Sequence, residues 1–395
     1  MIFQTLDDKQ QCVGVYADGK LYFDDFPENL THTWGYSGSL RNQKIEYGYL
    51  YAHGTPLEKS CPKELIGEFE EVSRKLRAFK KSFQLAKIDL HHHCLFELIP
   101  HDFLLRFCEL KNKITKAVMK NTEKPPNYDH LVACQQLLHK IKYQELLIDS
   151  RDCRPLFFSG PNRKIAHRII QGPRHIDYNL FGTVTGRLTT YSDSFPILTM
   201  KKEFRSLIKP HNDWFLSLDY NAAEARTLLA LSHQQQPDED IHEWNIAHVF
   251  QDSTILREEA KTLFFSWLYN PESTAISTNY YNRDNVLDKH YQAGYIETPF
   301  DRRIEVESRK ALNYLIQSTT SDIVLERACT IDEFLSDKES FISHIVHDEI
   351  VIDFADSDRH LVEEIRDIFS DTSLAKFMVN LQAGKNYFDL ETLNI

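Results

Sequence analysis

The sequence predicts an α+β protein with a small β-rich N-terminal module, a helical region, and then strands interleaved with helices. Three observations carry this. Two alternating apolar runs flank Asp18-Gly19 within residues 12–23, which signals a tight hairpin. From Glu64 the pattern turns helical, and the local charge reverses sign. Beyond the loop Ser159-Gly160-Pro161-Asn162, strand-like runs such as Trp214–Leu218 and Ile350–Phe354 alternate with helical ones such as Ala222–Leu231 and Leu256–Leu268.

In chain order, the hairpin and a further strand over Ile45–Tyr51 make the stretch 1–70 β-rich. The N-terminal stretch is acidic, with six Lys/Arg against twelve Asp/Glu over residues 1–72. Residues 73–142 then hold fourteen Lys/Arg against six Asp/Glu, among them Arg74, Lys75, Arg77, Lys80, Lys81, Lys87, Lys111, Lys113, Lys116 and Lys120. Clustered cations on a helical arm suit a phosphate backbone, where they displace condensed counterions; a solvated basic surface is the alternative. Pro125-Pro126-Asn127 interrupts the helical region. There is no internal repeat and no low-complexity tract.

With 395 residues, 42% of them hydrophobic and 26% charged, the chain can bury one large core or two to three ordinary ones. No window reaches the ~18 apolar residues of a membrane span, and the N-terminus lacks a basic stretch followed by an apolar one. A cytoplasmic protein with no membrane partner is expected. Seven scattered cysteines (Cys12, Cys61, Cys94, Cys108, Cys134, Cys153, Cys329) never form a Cys-x-x-Cys pair, so buried reduced thiols are expected. His91-His92-His93-Cys94 is not read as a metal site, because neighbouring side chains point in different directions. The net charge of −12 alone argues against a nucleic-acid partner; the local reversal argues for one.

Two carboxylates stand at the ends of strand-like runs. Asp219 closes Trp214–Leu218, and Asp348 sits at the polar tip of Ile345–Ile352. A carboxylate on a rigid strand end near solvent can hold a hard cation such as Mg²⁺ while leaving positions open for substrate oxygens; a turn or cap residue is the plainer reading of each alone. Between them, Asp252-Ser253-Thr254 offers capping side chains for a helix carrying Arg257, Lys261, Phe265 and Tyr269 at a spacing of four. At ~100° per residue, each step drifts only ~40°, so two cations and then two aromatics form one stripe. Such a stripe can hold a triphosphate at one end and stack a base at the other.

Five segments in order resemble the motifs of family A DNA polymerases: Thr183-Val184-Thr185-Gly186-Arg187-Leu188; Asp219 through Arg226; Arg257-x3-Lys261-x3-Phe265-x3-Tyr269; Arg309-x3-Asn313-x3-Gln317; and Val346-His347-Asp348-Glu349. Ala311-Leu312-Asn313-x-Leu315-x-Gln317-Ser318 is similar to the phage replicative branch, and Gly384-Lys385-Asn386-Tyr387-Phe388 resembles the family's C-terminus. The resemblance implies a right-hand polymerase fold and nucleotidyl transfer from a dNTP to a primer 3′-OH. Asp219 and Asp348, with Glu349 and the Tyr220 backbone, would serve two Mg²⁺ ions, for which Mn²⁺ could substitute. Arg257 and Lys261 would bind the triphosphate, with Lys261 as proton donor to pyrophosphate; Phe265 and Tyr269 would flank the nucleotide and template base. Arg187 and Gln317 would reach the minor groove of the new pair, Arg309 and Asn313 the template and primer, and His347 the primer terminus. Glu224 would crowd the sugar 2′ position and exclude ribonucleotides, against the alternative of a single-subunit RNA polymerase. An inactive nucleic-acid-binding relative is the other rival, and both carboxylates argue against it.

The implied layout is a thumb over 71–150, palm over 151–250 and 318–395, and fingers over 251–317, in a monomer inside a bacterial or phage-infected cell; any processivity partner is unknown. Ala222-Ala223 stand where the family has Gln-Ile, and Asn270 where it has Gly. The stretch between Tyr269 and Arg309 is shorter than usual for the family, so abbreviated fingers are expected. The stretch 1–70 is too short for a proofreading domain, and Asp24-Asp25 is no carboxylate cluster, so no 3′→5′ exonuclease is expected beyond a shrunken remnant of its fold.

Overall fold

The computed structural model describes residues 1–395 except 42, 91, 152, 271, 275, 277–279, 394 and 395. The chain divides into two compact units, Met1–Gln136 and Leu137–Ile395.

In the first unit, β1 (Phe3–Asp8), β2 (Gln11–Ala17) and β3 (Lys20–Tyr22) form an antiparallel sheet. Asp18 and Gly19 both adopt positive φ (47° and 77°), the geometry of a hairpin turn whose twist matches its strands. Leu6 and Tyr16 pack with Cys108 of α2 (His101–Asn121), which follows α1 (Ile66–Leu85). Strand over Ile45–Tyr51 is not what forms: Glu46–Tyr47 pairs with His32–Thr33 in parallel, and Gly48–Tyr51 is helical. Tyr47, Leu50 and Tyr51 are buried while Tyr49 is only partly so, and the alternation of Ile45, Tyr47, Tyr49 and Tyr51 that suggests a strand is too short a run to exclude a helical turn. Only Phe69 and Val72 of α1 are buried, so most of its later, basic half stands in solvent. The helix α3 (Tyr128–Lys142) follows and spans the boundary between the units.

The second unit is built around a five-stranded antiparallel sheet and a long central helix. Among its elements are β4 (Trp214–Tyr220), α4 (Ala223–Leu231), α5 (Arg257–Tyr269), α6 (Ser308–Phe334), β5 (Phe341–Val346), β6 (Glu349–Phe354), α7 (Val362–Ser370), β7 (Val379–Gly384) and β8 (Glu391–Thr392). The strand order is β5-β6-β4-β7-β8, which puts β4 in the centre. Alternation along β4 sends Tyr220 to one face, where it stacks on Phe369 of α7 at 4.0 Å, and leaves Asp219 on the other. One core joins Leu228 and Leu229 of α4, Phe264, Trp267 and Leu268 of α5, and Leu312 and Leu315 of α6.

The cap of α5 differs from expectation. Asp252 accepts hydrogen bonds from Thr254 N (2.9 Å) and Oγ1 (2.6 Å) in a local turn, whereas the helix starts at Arg257 after Leu256 with no side-chain cap. All seven cysteines are free; Cys108, Cys134 and Cys153 are buried, and the other four are partly exposed rather than buried. His91 lies outside the described residues, and no group of three or more metal-binding side chains occurs among them. No helix among the described residues is long and apolar enough to cross a membrane.

Candidate active site

The sheet and four helices, α4, Ile241–Asn245, α5 and α6, meet at a cleft of about 390 Å³. Of the residues singled out by sequence, Arg187, Asp219, Tyr220, Glu224, Arg257, Lys261, Phe265, His347 and Asp348 line it. The central strand delivers Asp219 one residue before its end, opposite Glu349 on β6 and Asn380 on β7. Val346 pairs with Glu349, so His347-Asp348 is a two-residue hairpin loop. Such loops take a positive φ at the first position, usually from Gly; here His347 supplies it at 59°. The loop projects Asp348 toward Asp219. Burial pushes the Asp219 carboxyl up to about 7, the neighbouring Asp348 charge adds to this, and a hydrogen bond from Asn380 Nδ2 (3.4 Å) opposes it.

On α5 the spacing of four holds. Ala260, Phe264, Trp267 and Leu268 are buried, and the adjacent stripe turns Arg257, Lys261 and Phe265 into the cleft. Arg257 is already engaged: its Nη2 lies 2.6 Å from Asp240 Oδ2. Asp240 also caps the helix Ile241–Asn245 and accepts from Asn221 Nδ2 (2.8 Å). Burial would raise this carboxyl, but the hydrogen bonds from Arg257 and Asn221 prevail and hold it below the usual carboxylate range. Arg226, fully buried, donates to the carbonyls of Asn221, Pro237 and Glu239 at 2.8–2.9 Å and so ties the start of α4 to this corner.

Glu224, on the first turn of α4, pairs with Arg187. Burial raises its carboxyl, with Arg187 opposing. Arg187 itself is placed by the turn before it. Gly186 adopts φ 77°, and a Cβ there would meet Arg302 Cζ at 2.7 Å, so a side chain would be strained and would displace the Arg302 guanidinium. Arg302 makes a two-pronged ion pair with the buried Asp322 of α6 (Nε–Oδ2 3.0 Å, Nη2–Oδ1 2.6 Å), and Ser321 Oγ donates to Gly186 O at 3.1 Å.

Tyr269, Arg309, Asn313, Gln317 and Glu349 are not among the lining residues. Tyr269 ends α5, stacked on Phe265 with centroids 5.9 Å apart. Arg309 is exposed and paired with Glu307 at 2.8 Å, while Asn313 Oδ1 is buried without a hydrogen-bond partner. Glu349 accepts from Ser217 Oγ (2.6 Å) and Tyr387 Oη (2.7 Å). The cleft also gathers residues that sequence reading passed over: His242, Asn380, Thr320 and Ser321. Ser321 had a signal, since the spacing of four through Arg309, Asn313 and Gln317 reaches it at the next step. His242 Nδ1 is buried without a partner, and burial lowers the ring to about 4, so it is neutral. Asn380 is brought in only by strand pairing.

The donor set suits Mg²⁺, which is held by one or two carboxylates together with substrate oxygens rather than by a closed protein cage. Two acidic side chains, one of them buried and made costlier to ionise by the other's charge, facing a cationic stripe, make a site for a divalent cation and a polyphosphate.

No family model matches the sequence, and no curated protein does. The structure is similar to the POL domain of Pol1 from M. smegmatis, solved in complex with DNA primer-template and dNTP: TM-score 0.61, 14% identity, over 88% of this chain and 82% of that one. At that identity the likeness speaks to architecture, and it shows that the chain has the fold of a DNA polymerase domain.

Proposed function

We propose that the chain is a DNA-directed DNA polymerase of family A, nearer its phage replicative branch. The observation that carries this reading is the cleft in which Asp219 and Asp348 face Arg257, Lys261 and Phe265, on the fold of a polymerase domain. In this reading 71–150 is the thumb, 151–250 and 318–395 the palm, and 251–317 the fingers.

Two Mg²⁺ ions, when bound, would activate the primer 3′-OH and neutralise charge on the departing pyrophosphate. Asp219 and Asp348 would hold them, with the Tyr220 carbonyl. Glu349, held between Ser217 and Tyr387, stiffens the start of β6 next to Asp348. Arg257 exchanges Asp240 for the triphosphate, Lys261 carries the proton that pyrophosphate takes, and Phe265 stacks on the incoming nucleotide. Arg187 parts from Glu224 to contact the minor groove, leaving Glu224 to fill the space a 2′-OH would need. Tyr269 guards the template position, and Arg309, Asn313, Gln317 and His347 contact the primer-template.

The test is extension of a primed DNA template with dNTPs or rNTPs and Mg²⁺. Asp219→Ala and Asp348→Ala should each lower extension by several kcal/mol of barrier, on the order of 10³-fold, while duplex binding persists. Substantial residual synthesis from either variant would contradict the metal assignment. Chelation by EDTA should stop synthesis, and excess Mg²⁺ should restore it. For Glu224→Ala the expected result is more ribonucleotide incorporation, and equal use of rNTPs and dNTPs by the unaltered chain would favour an RNA polymerase.

A further inference from the structure

Residues 151–174 form a feature that the cleft does not use. They carry six Lys/Arg against one acid, Asp152, whereas residues 143–395 as a whole hold 26 basic and 40 acidic residues. A local excess of cations inside so acidic a stretch is not inherited from its surroundings.

The geometry sorts these cations. The helix Gly160–Gln171 buries Ala166 and Ile169 and exposes Arg163, Lys164, His167 and Arg168. Arg163 and His167, and Lys164 and Arg168, are each four residues apart, so they make two adjoining rows on one face. Lys164 and Arg168 repel at that spacing, and Arg154, Arg163, Lys164 and Arg168 make no ion pair among the described residues. Immediately before the helix, Phe158 is 81% exposed, more than the other large apolar side chains that stand in solvent. The segment is nonetheless anchored: Leu156 is buried, Cys153 Sγ donates to Ser206 O at 3.3 Å, and Leu147–Ile148 pairs with Ile208–Lys209. An anchored display of unpaired cations beside a bare aromatic ring matches one ligand chemistry. Phosphates take the cations, and an unpaired base covers the ring. A duplex, whose bases are stacked on one another, would leave Phe158 uncovered.

We propose that Arg154, Phe158, Arg163, Lys164 and Arg168 form a docking surface for single-stranded nucleic acid outside the cleft. The surface needs none of the residues assigned to catalysis, so it goes beyond the polymerase reading.

The experiment is fluorescence anisotropy of a labelled oligothymidylate titrated with the full chain at several salt concentrations. The triple variant Arg163→Gln/Lys164→Gln/Arg168→Gln should bind about tenfold more weakly at low salt and flatten the slope of log K against log salt by about two. Phe158→Ala should weaken binding about tenfold with the slope unchanged, as expected for a lost base stack. All four side chains are exposed, so both variants should keep the unaltered chain's melting curve. Wild-type affinity in either variant would overturn the proposal, as would a loss of duplex affinity in Phe158→Ala as large as its loss of oligothymidylate affinity. Competition by a polyglutamate peptide as effective as by unlabelled oligothymidylate would reduce the surface to a general polyanion site and overturn it too. If these shifts appear in a chain that extends no primer, the polymerase reading falls and this surface stands.

Discussion

Beneath the candidate site, the His344 ring sits edge-on to Tyr387 at 4.6 Å and to Phe215 at 5.9 Å, its Nδ1 3.0 Å from Ser343 Oγ and its Nε2 without a partner. Burial, with the Arg205 charge adding to it, lowers this histidine from 6.5 to about 3. A histidine depressed in the folded state leaves stability intact above 6.5 and removes it as pH falls toward the folded value, because the unfolded chain takes up the proton first. Stability should therefore fall between pH 6.5 and pH 4 by more in the unaltered chain than in His344→Leu, as read from urea midpoints. Equal losses would mean that the ring is not held neutral. Single residues also store strain at the site: Ala222 and His347 adopt φ of 51° and 59°, a region that costs a residue with a side chain about 1–2 kcal/mol. Both positions border a carboxylate, Ala222 starting the helix of Glu224 and His347 preceding Asp348.

Elements place these residues, and the loop carrying Arg187 is placed by an ion pair. Arg302 reaches from a loop to Asp322 on α6, and its guanidinium forms the floor under Gly186. Asp322 is fully buried, so Arg302→Met should destabilise by about 3–5 kcal/mol through the unpaired charge left behind, whereas Arg302→Met with Asp322→Leu should recover most of that. If the pair only stabilises, the double variant regains primer extension too. If it positions Arg187, extension stays low in a chain whose unfolding is near normal, and the Michaelis constant for dNTP changes less than the turnover number. Much at this scale was legible in the sequence. A spacing of four on α5 is enforced by helix geometry, so Arg257, Lys261 and Phe265 could be placed on one face before any fold was known. The partners of that face could not. Asp240, Asn380 and Arg302 enter through a cap, a strand register and a loop contact, none of which leaves a local period. The same limit explains Ile45–Tyr51, whose run is too short to show its helical turn, and Asp252, whose hydrogen bonds stay within its own turn.

Across the whole molecule, charge is the property most misleading as an average and most informative as a distribution. The net −12 hides a stretch with fourteen cations and six anions, and the structure sorts those cations further. Lys113 pairs with Glu109 at 3.1 Å, Lys111 lies over the Phe107 ring at 5.6 Å, and Arg106 is taken by Glu68 and Glu71. Lys75, Lys124, Lys140 and Lys142 are paired as well, and seven cations are left, all exposed and without an ion pair among the described residues: Lys116 and Lys120 on α2, and Arg74, Arg77, Lys80, Lys81 and Lys87, on or just past the half of α1 that has no fully buried side chain. Holding five like charges so close together along a thinly supported helix is unfavourable in isolation, and phosphates relieve it. Each duplex phosphate contacted contributes about 0.9 to the slope of log affinity against log salt, so Arg77→Gln/Lys80→Gln/Lys81→Gln should flatten that slope by ~3 for primer-template DNA. The carboxylates of the cleft should not enter this slope, so Asp219→Ala should leave it unchanged. An equally steep slope in the triple variant would assign the basic half of α1 to solvent.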